Sequence, residues 1–313
     1  MGSDGVREKY GDSAQKGYFA GLTTLDYVYY VDEYPDNNSK VRTEDYKYYV
    51  GGPAANAAIT YSLLGGKAVL MTCLGKSAIA EMIKGILSDY GVEVLDFSED
   101  DSLPNVATIV VDREGNRTIF SGQRKQGSAV VNIKRNLSMS DGEILRQKTG
   151  TVNLADRILS DRKKAFCLFD LNQQELALQL LEQTDCPVVL DAGSWKTNTE
   201  LFLKKADIVI SSEGFRSPEG KDIFEIKECE RALKAMTRGE KDILTEGGCV
   251  SVCGEAECAD SLAAGDIFHG AFCYAYFDAK KDFISALEFA RDVAGESVKY
   301  RGPREWRNHF TNV

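Results

Sequence analysis

The segment DSLAAGDIFHG (260–270) combines residue types that can bind an anion and move a proton. The apolar run IFHGAFCYAYF (267–277) predicts a buried helix that begins near Asp266. The first N–H groups of a helix lack intrahelical partners and, with the helix dipole, favour negative charge. Here those groups belong to Ala263, Ala264, Gly265 and Asp266. A carboxylate beside a bound phosphoryl group can accept the proton of an attacking hydroxyl, although Asp266 could equally be a plain helix cap.

A second segment, GGPAANAA (51–58), predicts close contact between backbone and ligand. Adjacent glycines allow positive φ or close approach, and Gly52 precedes a proline that opens a helix. Asn56 then offers an amide donor and acceptor, which suits a sugar hydroxyl, or else it only joins two loops. Asp26 in GLTTLDYV (21–28) is predicted near the end of the first strand, where a carboxylate could accept two hydroxyls.

Familiar nucleotide and metal motifs are missing or incomplete. Gly75, Lys76 and Ser77 resemble part of a phosphate-binding loop, but Leu70 stands where that loop needs a glycine. No G-x-G-x-x-G follows a predicted strand. The eight cysteines include no C-x-x-C pair, so buried free thiols are favoured over a metal site, even for the cluster of Cys249, Cys253 and Cys258.

Composition narrows the class of protein. The 313 residues can bury a large core, and we predict a single domain over 1–313. A net charge of −10 argues against nucleic acid or an anionic membrane as the main partner. The N-terminus MGSDGVREKYGDSAQKG lacks the apolar core of a secretory signal, and no apolar run is long enough to span a bilayer, so we expect a cytoplasmic protein.

Predicted strands and helices alternate along the chain. Continuous apolar strands separated by amphipathic helices indicate an α/β fold with a mostly parallel sheet covered on both faces. The predicted strands are 17–22, 67–74, 165–171, 187–193, 206–211 and 242–248. The predicted helices are 53–64, 78–91, 175–183, 228–236, 267–277 and 287–300.

Two stretches interrupt this alternation, at about 26–50 and at 106–122. Both are rich in tyrosine, valine or other strand-forming residues and contain turn residues such as Asp36-Asn37-Asn38. They predict a small separate sheet inserted into the core as a lid. Because its exposed edge would be unprotected in a monomer, we predict a homodimer that pairs two lids.

The two glycine- and alanine-rich segments, about two hundred residues apart, resemble the two signatures of the ribokinase-like (PfkB) carbohydrate kinases. The resemblance extends over nearly the whole chain. It implies a three-layer α/β/α core with a β-sheet lid, and transfer of the γ-phosphate of ATP to a hydroxyl. Magnesium is an implied cofactor, and a monovalent cation such as K⁺ is left open. Within the family, GNRTI (115–119) and AGDIFHGAF look closest to ketohexokinase and bacterial ketose kinases.

The resemblance also implies roles for individual residues. Asp266 would be the base, with the backbone of 263–266 as the anion hole. The remaining implied roles are sugar binding by Asp26, Gly52, Asn56 and Arg117, and nucleotide binding by Thr245, Glu246 and Gly247.

The chain departs from the family pattern at three places. Ser212 and Phe215 stand where many relatives have the Asn and Glu of an Asn-x-x-Glu motif that organises magnesium and phosphate, so no metal ligand is named. Ala263 replaces a usual glycine, at a cost of about 1 kcal/mol if the backbone there needs positive φ. Pro53 replaces a sugar-contacting asparagine, which leaves the recognised hydroxyl pattern open.

We therefore expect an ATP-dependent kinase of a ketose such as fructose or a related sugar. Arg117 could bind sugar hydroxyls or an anionic substituent, or be a solvated lid residue. The alternatives are a nucleoside kinase of the same fold and a sugar- or nucleotide-binding protein without catalysis. Retention of Asp266 argues against the latter, because a binding protein needs no base.

Overall fold

A computed structural model describes residues 16–98, 100–122, 164–252 and 258–310. The strands of these residues are β1 (Lys16–Ala20), β2 (Thr24–Tyr30), β3 (Tyr46–Gly51), β4 (Lys67–Thr72), β5 (Glu93–Asp96), β6 (Asn105–Val111), β7 (Arg117–Gly122), β8 (Ala165–Phe169), β9 (Val188–Ala192), β10 (Ile208–Ser212), β11 (Leu233–Arg238), β12 (Lys241–Thr245) and β13 (Gly248–Val250). The α-helices are α1 (Pro53–Leu63), α2 (Ala78–Asp89), α3 (Gln174–Gln183), α4 (Thr199–Lys205), α5 (Ala264–Cys273) and α6 (Phe283–Ser297).

The central sheet has nine strands in the order β13-β12-β11-β10-β9-β8-β1-β4-β5. The strands from β5 to β11 run parallel, and β12 and β13 form an antiparallel edge. One apolar cluster joins α1, α2, α5 and α6 to one sheet face, and a second joins α3 and α4 to the other. The predicted three-layer α/β architecture is confirmed. No helix of the described ranges is long and apolar enough to cross a bilayer.

The helix predicted over 228–236 is wrong. That stretch contains a short 3₁₀ turn at Lys227–Cys229 and then β11, which pairs with β10 on one side and β12 on the other. Lys234, Ala235 and Met236 are all buried there, as expected of a strand covered on both faces. The residues Leu, Lys, Ala and Met favour helices intrinsically, but a place inside the sheet outweighs that weak preference.

The predicted lid is a four-stranded sheet with the order β3-β2-β6-β7. Its strands leave the core between β1 and α1 and between β5 and β8. Alternation along β2 points Val28 and Tyr30 towards the core, where they pack with Leu262 in the loop before α5. Asp26 shares this inner face, so it belongs to the lid and not to the first core strand, which ends at Ala20.

The helices α1 and α5 pack closely through a glycine. A Cβ atom built at Gly270 would lie 2.4 Å from the Ala57 carbonyl oxygen and 2.8 Å from Thr60 Cβ. Both contacts involve groups that are fixed by helix α1 itself. The absence of a side chain at Gly270 therefore sets how near the two helices that carry the candidate site can approach.

We expect Gly270→Ala to lower the free energy of unfolding by about 1–3 kcal/mol, because overpacking would push α5 away from α1. Gly295→Ala in α6 is the matched control, since a Cβ there meets nothing within 4 Å and alanine favours helices. Chemical denaturation of the three proteins measures both effects. Equal stability of Gly270→Ala and wild type would contradict the proposed close approach.

Candidate active site

Asp266 lies in the first turn of α5 and faces the carboxyl ends of the central parallel strands. Asn56, in the first turns of α1, donates from Nδ2 to Asp266 Oδ2 at 2.7 Å. The two sequence segments with glycine and alanine therefore meet at one point, although they are about two hundred residues apart. This is the cleft that parallel sheets commonly use for ligands.

The start of α5 leaves N–H groups for an anion. Within the described part of the chain, no acceptor is recorded for the N–H groups of Ala263, Gly265 and Asp266. Ala264 differs from the prediction, because its N–H points to the Ser261 carbonyl oxygen at 3.3 Å. A Cβ atom at Gly265 would meet nothing within 4 Å, so the space over this backbone is open.

Ala263 adopts the left-handed conformation, with φ 62° and ψ 12°. This is the positive φ anticipated where the family pattern has glycine. An alanine there costs about 1 kcal/mol relative to glycine. The strain is located in the loop that leads into α5.

Asn56 is held from both ends of its amide. Its Oδ1 accepts a hydrogen bond from Arg304 Nη2 at 2.5 Å, while its Nδ2 binds Asp266. Asn56 therefore links Arg304 to Asp266, in addition to the sugar contact predicted for it. An amide group keeps one further N–H and one further lone pair for a ligand.

Arg304 was missed by sequence reasoning. Its side chain is buried, with 4% exposure, and it also donates to the Val50 and Pro303 carbonyl oxygens at 3.0 Å each. Burial lowers the pKa of Arg304 to about 10, and the nearby Asp266 and Asp26 carboxylates oppose that shift. The sequence around Arg304 does not indicate that this side chain is buried in the site, since most arginines are exposed.

The base of the cleft is rich in negative charge. Burial raises the pKa of Asp266 to about 7, and the neighbouring Asp191 at the end of β9 and Asp170 after β8 raise it as well. The hydrogen bond from Asn56 and the charge of His269 act in the opposite direction. A carboxyl group with a pKa near neutrality is suited to accept a proton from a hydroxyl.

Asp170 ties the strand ends together. Its carboxylate accepts from the N–H groups of Leu22 at 2.8 Å, Ala54 at 3.1 Å and Asn172 at 2.8 Å. Burial raises its pKa to about 6 despite these bonds. A Cβ atom at Gly21 would lie 2.1 Å from the same carboxylate, so a glycine is required there.

His269 lies one turn after Asp266 and faces three oxygen atoms. Its Nδ1 is 2.7 Å from the Gly265 carbonyl oxygen, and its Nε2 is 3.4 Å from the Ile210 carbonyl oxygen and 3.6 Å from Asp191 Oδ1. It therefore connects the first turn of α5 to β9 and β10.

Asp26 lies at the base of the lid and is buried. Thr24 Oγ1 donates to Asp26 Oδ1 at 2.5 Å, and burial raises the pKa of this carboxyl. Gly51 makes room for it, because a Cβ there would lie 1.8 Å from Asp26 Oδ2. Gly52 has a different role: its φ of 93° turns the chain into α1, and its carbonyl oxygen accepts from Asn56 N–H at 2.9 Å.

Arg117 begins β7 on the inner face of the lid. Its Nη1 lies 2.5 Å from Ser261 Oγ, in the loop that leads to Ala263. The predicted lid arginine is thus beside the loop that leads into α5.

The turn formed by Thr245, Glu246 and Gly247 is not brought to this cleft. Strand β12 is antiparallel to β11, and Thr245 pairs with Ala235 near the beginning of β11. Glu246 binds the buried Lys234 at 2.6 Å. The turn therefore lies at the amino-terminal edge of the parallel strands, whereas Asp266 faces the carboxyl ends, and the predicted nucleotide contact does not fit this geometry.

The two residues that replace the Asn and Glu of the Asn-x-x-Glu pattern, Ser212 and Phe215, both make contacts within the protein. Ser212 Oγ donates to the Gly193 carbonyl oxygen at 2.8 Å, and Phe215 is fully buried against Trp195 with ring centroids 5.5 Å apart.

Among the described residues, no three His, Cys, Asp or Glu side chains gather as a metal site. Cys249 and Cys258 are free, and Cys253 lies outside the described residues.

Comparison with known proteins identifies the family and the fold. A family model described as pfkB family carbohydrate kinase matches residues 18–308. The solved ribokinase of Thermotoga maritima superposes with a TM-score of 0.70 at 18% identity, over 94% of this chain and 98% of that one. The fold is therefore that of the ribokinase-like proteins.

Two curated relatives match most of the chain. Ribokinase of Haemophilus influenzae is 23% identical over 304 residues, covering 90% of this chain and 92% of its own length. A nucleoside kinase of Methanocaldococcus jannaschii is 25% identical over 286 residues, covering 85% of each. Mouse ketohexokinase is 30% identical over only 102 residues, or 32% of this chain, so the predicted closeness to ketohexokinase rests on a partial match.

We expect the Asp266 carboxyl to titrate near pH 7, and its pKa to fall in Asp191→Asn, because that change removes a neighbouring negative charge. Carbon-13 NMR of aspartate-labelled protein, assigned by the loss of one signal in Asp266→Asn, measures this titration. Asp101→Asn, on an exposed loop, is the control and should leave it unchanged. A rise in the pKa of Asp266 in Asp191→Asn would contradict the electrostatic account.

Proposed function

The chain belongs to the pfkB family of carbohydrate kinases, and from this premise we propose that it transfers the γ-phosphate of ATP to a hydroxyl of a small sugar, with Asp266 as base. The family and its relatives establish an ATP-dependent phosphotransferase that acts on a sugar or a nucleoside. The residue roles and the acceptor are our proposals.

The observation that carries the proposal is the placement of Asp266. Its carboxylate is held at 2.7 Å from Asn56 Nδ2. At the same helix start the N–H groups of Gly265 and Asp266 have no backbone acceptor among the described residues, and the space where a Gly265 Cβ would be is open. A plain helix cap would accept hydrogen bonds from N–H groups of its own helix, whereas the Asp266 carboxylate accepts from Asn56 of α1. The carboxylate is directed across the cleft instead.

In this arrangement the acceptor hydroxyl gives its proton to Asp266 as its oxygen attacks the γ-phosphorus. The bond from that phosphorus to the bridging oxygen of ADP breaks, and ADP leaves with the electron pair. The N–H groups at the start of α5 hold the equatorial phosphoryl oxygens, where negative charge must be stabilised. The open backbone at Gly265 lets those oxygens approach.

We place the nucleotide along the ends of β10 and β11. The hairpin after β11 turns at Gly239, which has a φ of 63° and open space where a Cβ would be. Because Thr237 pairs with Ser212, this turn lies at the same edge of the sheet as Asp191. The hairpin therefore replaces the turn at Thr245–Gly247 as the proposed nucleotide contact.

Magnesium would enter with the nucleotide. Mg²⁺ takes many of its ligands from substrate phosphates and water, so an incomplete set of protein ligands is compatible with it. The excess negative charge of Asp170, Asp191 and Asp266 also favours a divalent cation nearby. We assign no protein ligand to Mg²⁺ and no site to a monovalent cation such as K⁺.

We propose that the sugar lies between Asp26 and Asn56, under the lid. Asp26 and the free lone pair and N–H of Asn56 can bind hydroxyls, and Arg117 closes the lid side. A ketose remains our predicted acceptor, from the likeness of the lid strand. A nucleoside is the second candidate, because a nucleoside kinase matches 85% of the chain.

A coupled ADP assay over fructose-type ketoses, ribose and nucleosides tests the acceptor. We expect sugar turnover, and we expect Asp266→Asn to lower kcat by about 10²–10⁴-fold while sugar affinity is kept, because only proton transfer is removed. Asp89→Asn, exposed at the end of α2, is the matched control. Turnover of nucleosides alone would refute the sugar proposal, and equal kcat in Asp266→Asn would refute the base.

We also propose a homodimer through the outer face of the lid. The inner and outer residues alternate, and the outer face carries the aromatic side chains of Tyr29, Tyr46, Tyr48 and Phe120, while Tyr27 on the same face packs partly against the core. Tyr46 is 58% exposed and Phe120 57%. An aromatic sheet face of this kind is typical of a protein interface.

Sedimentation velocity at micromolar concentration should show a dimer for the wild type. Phe120→Glu should shift it towards monomer, because the charge would be buried in the interface. Ile284→Glu, an exposed apolar residue of α6, is the control and should remain dimeric. A wild-type monomer would contradict the proposed assembly.

A further inference from the structure

One buried carboxylate fastens the lid to the active-site loop. Asp260, with 4% exposure, accepts hydrogen bonds from Tyr30 Oη at 3.0 Å, Leu262 N at 2.9 Å and Gly302 N at 3.0 Å. These donors come from lid strand β2, the loop before α5 and the turn after α6. No step of the proposed chemistry uses Asp260.

The turn that begins at Gly302 leads directly to Arg304. Gly302 has a φ of 90°, and a Cβ there would lie 2.2 Å from Tyr49 Oη, so glycine is required. The next carbonyl, of Pro303, accepts from Arg304 Nη1 at 3.0 Å and from Trp306 Nε1 at 3.2 Å. A turn held in this way has little freedom to move independently of its two ends.

Together these contacts form one continuous path. Tyr30 binds Asp260, Asp260 binds Gly302, and the rigid turn carries Arg304, which holds Asn56 and through it Asp266. We propose that this path couples docking of the lid to the orientation of the catalytic base, with Asp260 and Arg304 as positioning residues. The proposal rests on the proposed kinase function, because it concerns the same base.

The energetic reason lies in the burial of Asp260. When the lid lifts, Tyr30 leaves and the buried carboxylate loses one of three donors, which is costly for a charged acceptor. Two other hydrogen bonds join the lid to the loop before α5 and to the turn after α6. Arg117 binds Ser261 in that loop at 2.5 Å, and Arg301 in that turn binds Asp45 of the lid at 2.8 Å. The loop before α5 and the turn after α6 therefore make all of these hydrogen bonds only when the lid is docked.

Tyr30→Phe removes only one hydroxyl and tests the coupling. Amide hydrogen exchange should become about tenfold faster in β2 and at Gly302, since one hydrogen bond to a buried charge is lost. Tyr29→Phe is the matched control, because Tyr29 adjoins Tyr30 but faces outwards and stacks on Tyr46 at 6.0 Å. Unchanged exchange at Gly302 in Tyr30→Phe would overturn the link through Asp260.

A second measurement reports the base directly. The Asn56 hydrogen bond lowers the pKa of Asp266, so a loosened turn should raise the midpoint of the Asp266 carbon-13 titration in Tyr30→Phe and leave it unchanged in Tyr29→Phe. A lid contact of purely structural importance would not move this titration. An unchanged midpoint in Tyr30→Phe would overturn the coupling to the base.

Turnover supplies the third measurement. Tyr30→Phe should lower kcat/KM by about tenfold, and its combination with Arg304→Lys should cost less than the product of the two separate losses, because both variants interrupt one path. If the loss of kcat/KM in the double variant equals the product of the two single losses, the coupling is refuted. If Arg304→Lys does not fold, exchange and titration in Tyr30→Phe decide. A wild type inactive on every acceptor would refute the kinase proposal, and those two measurements would still test the path.

Discussion

The site depends on a buried arginine that holds an asparagine, which in turn holds an aspartate. Arg304 is removed from water, and the free-energy cost of burying its charge is offset by three hydrogen bonds and by the nearby carboxylates of Asp26 and Asp266. Because Arg304 donates to Asn56 Oδ1, the amide must present its Nδ2 to Asp266. The orientation of the proposed base is thus determined by a residue that follows the last helix.

Close backbone packing makes this arrangement possible. Gly270 lets α5 approach α1, and Gly51 leaves room for Asp26. Each glycine stands where a Cβ would meet a fixed group of the site. Gly265 in the first turn of α5 differs, since it borders open space, which suits the proposed binding of an anion there. The same residue type therefore serves helix packing in one place and ligand access in another.

Electrostatics in the cleft are balanced between acids and cations. Burial, and after it Asp191 and Asp170, raise the pKa of Asp266, while Asn56 and His269 lower it, and the result is a carboxyl group with a pKa of about 7. The lid adds Arg117 at its inner face. This local pattern differs from the net charge of −10, which describes the surface as a whole and says little about the cleft.

The sequence alone determined the α/β alternation and the lid, because apolar periodicity and turn residues are local signals, and the resemblance to the kinase family implied that the two distant segments share one site. The sequence also singled out Asp266 and Asn56, which the structure brings within 2.7 Å, and Ala263 as a place where a positive φ would cost free energy. Only the tertiary structure decided that 228–236 contains a strand, since its residues favour helices and sheet position outweighed them. The structure alone likewise brought Arg304 and Asp260 to the site and put the turn at 245–247 on the far sheet edge. Such placements depend on chain direction and on contacts between segments far apart in sequence, and no local pattern encodes those contacts.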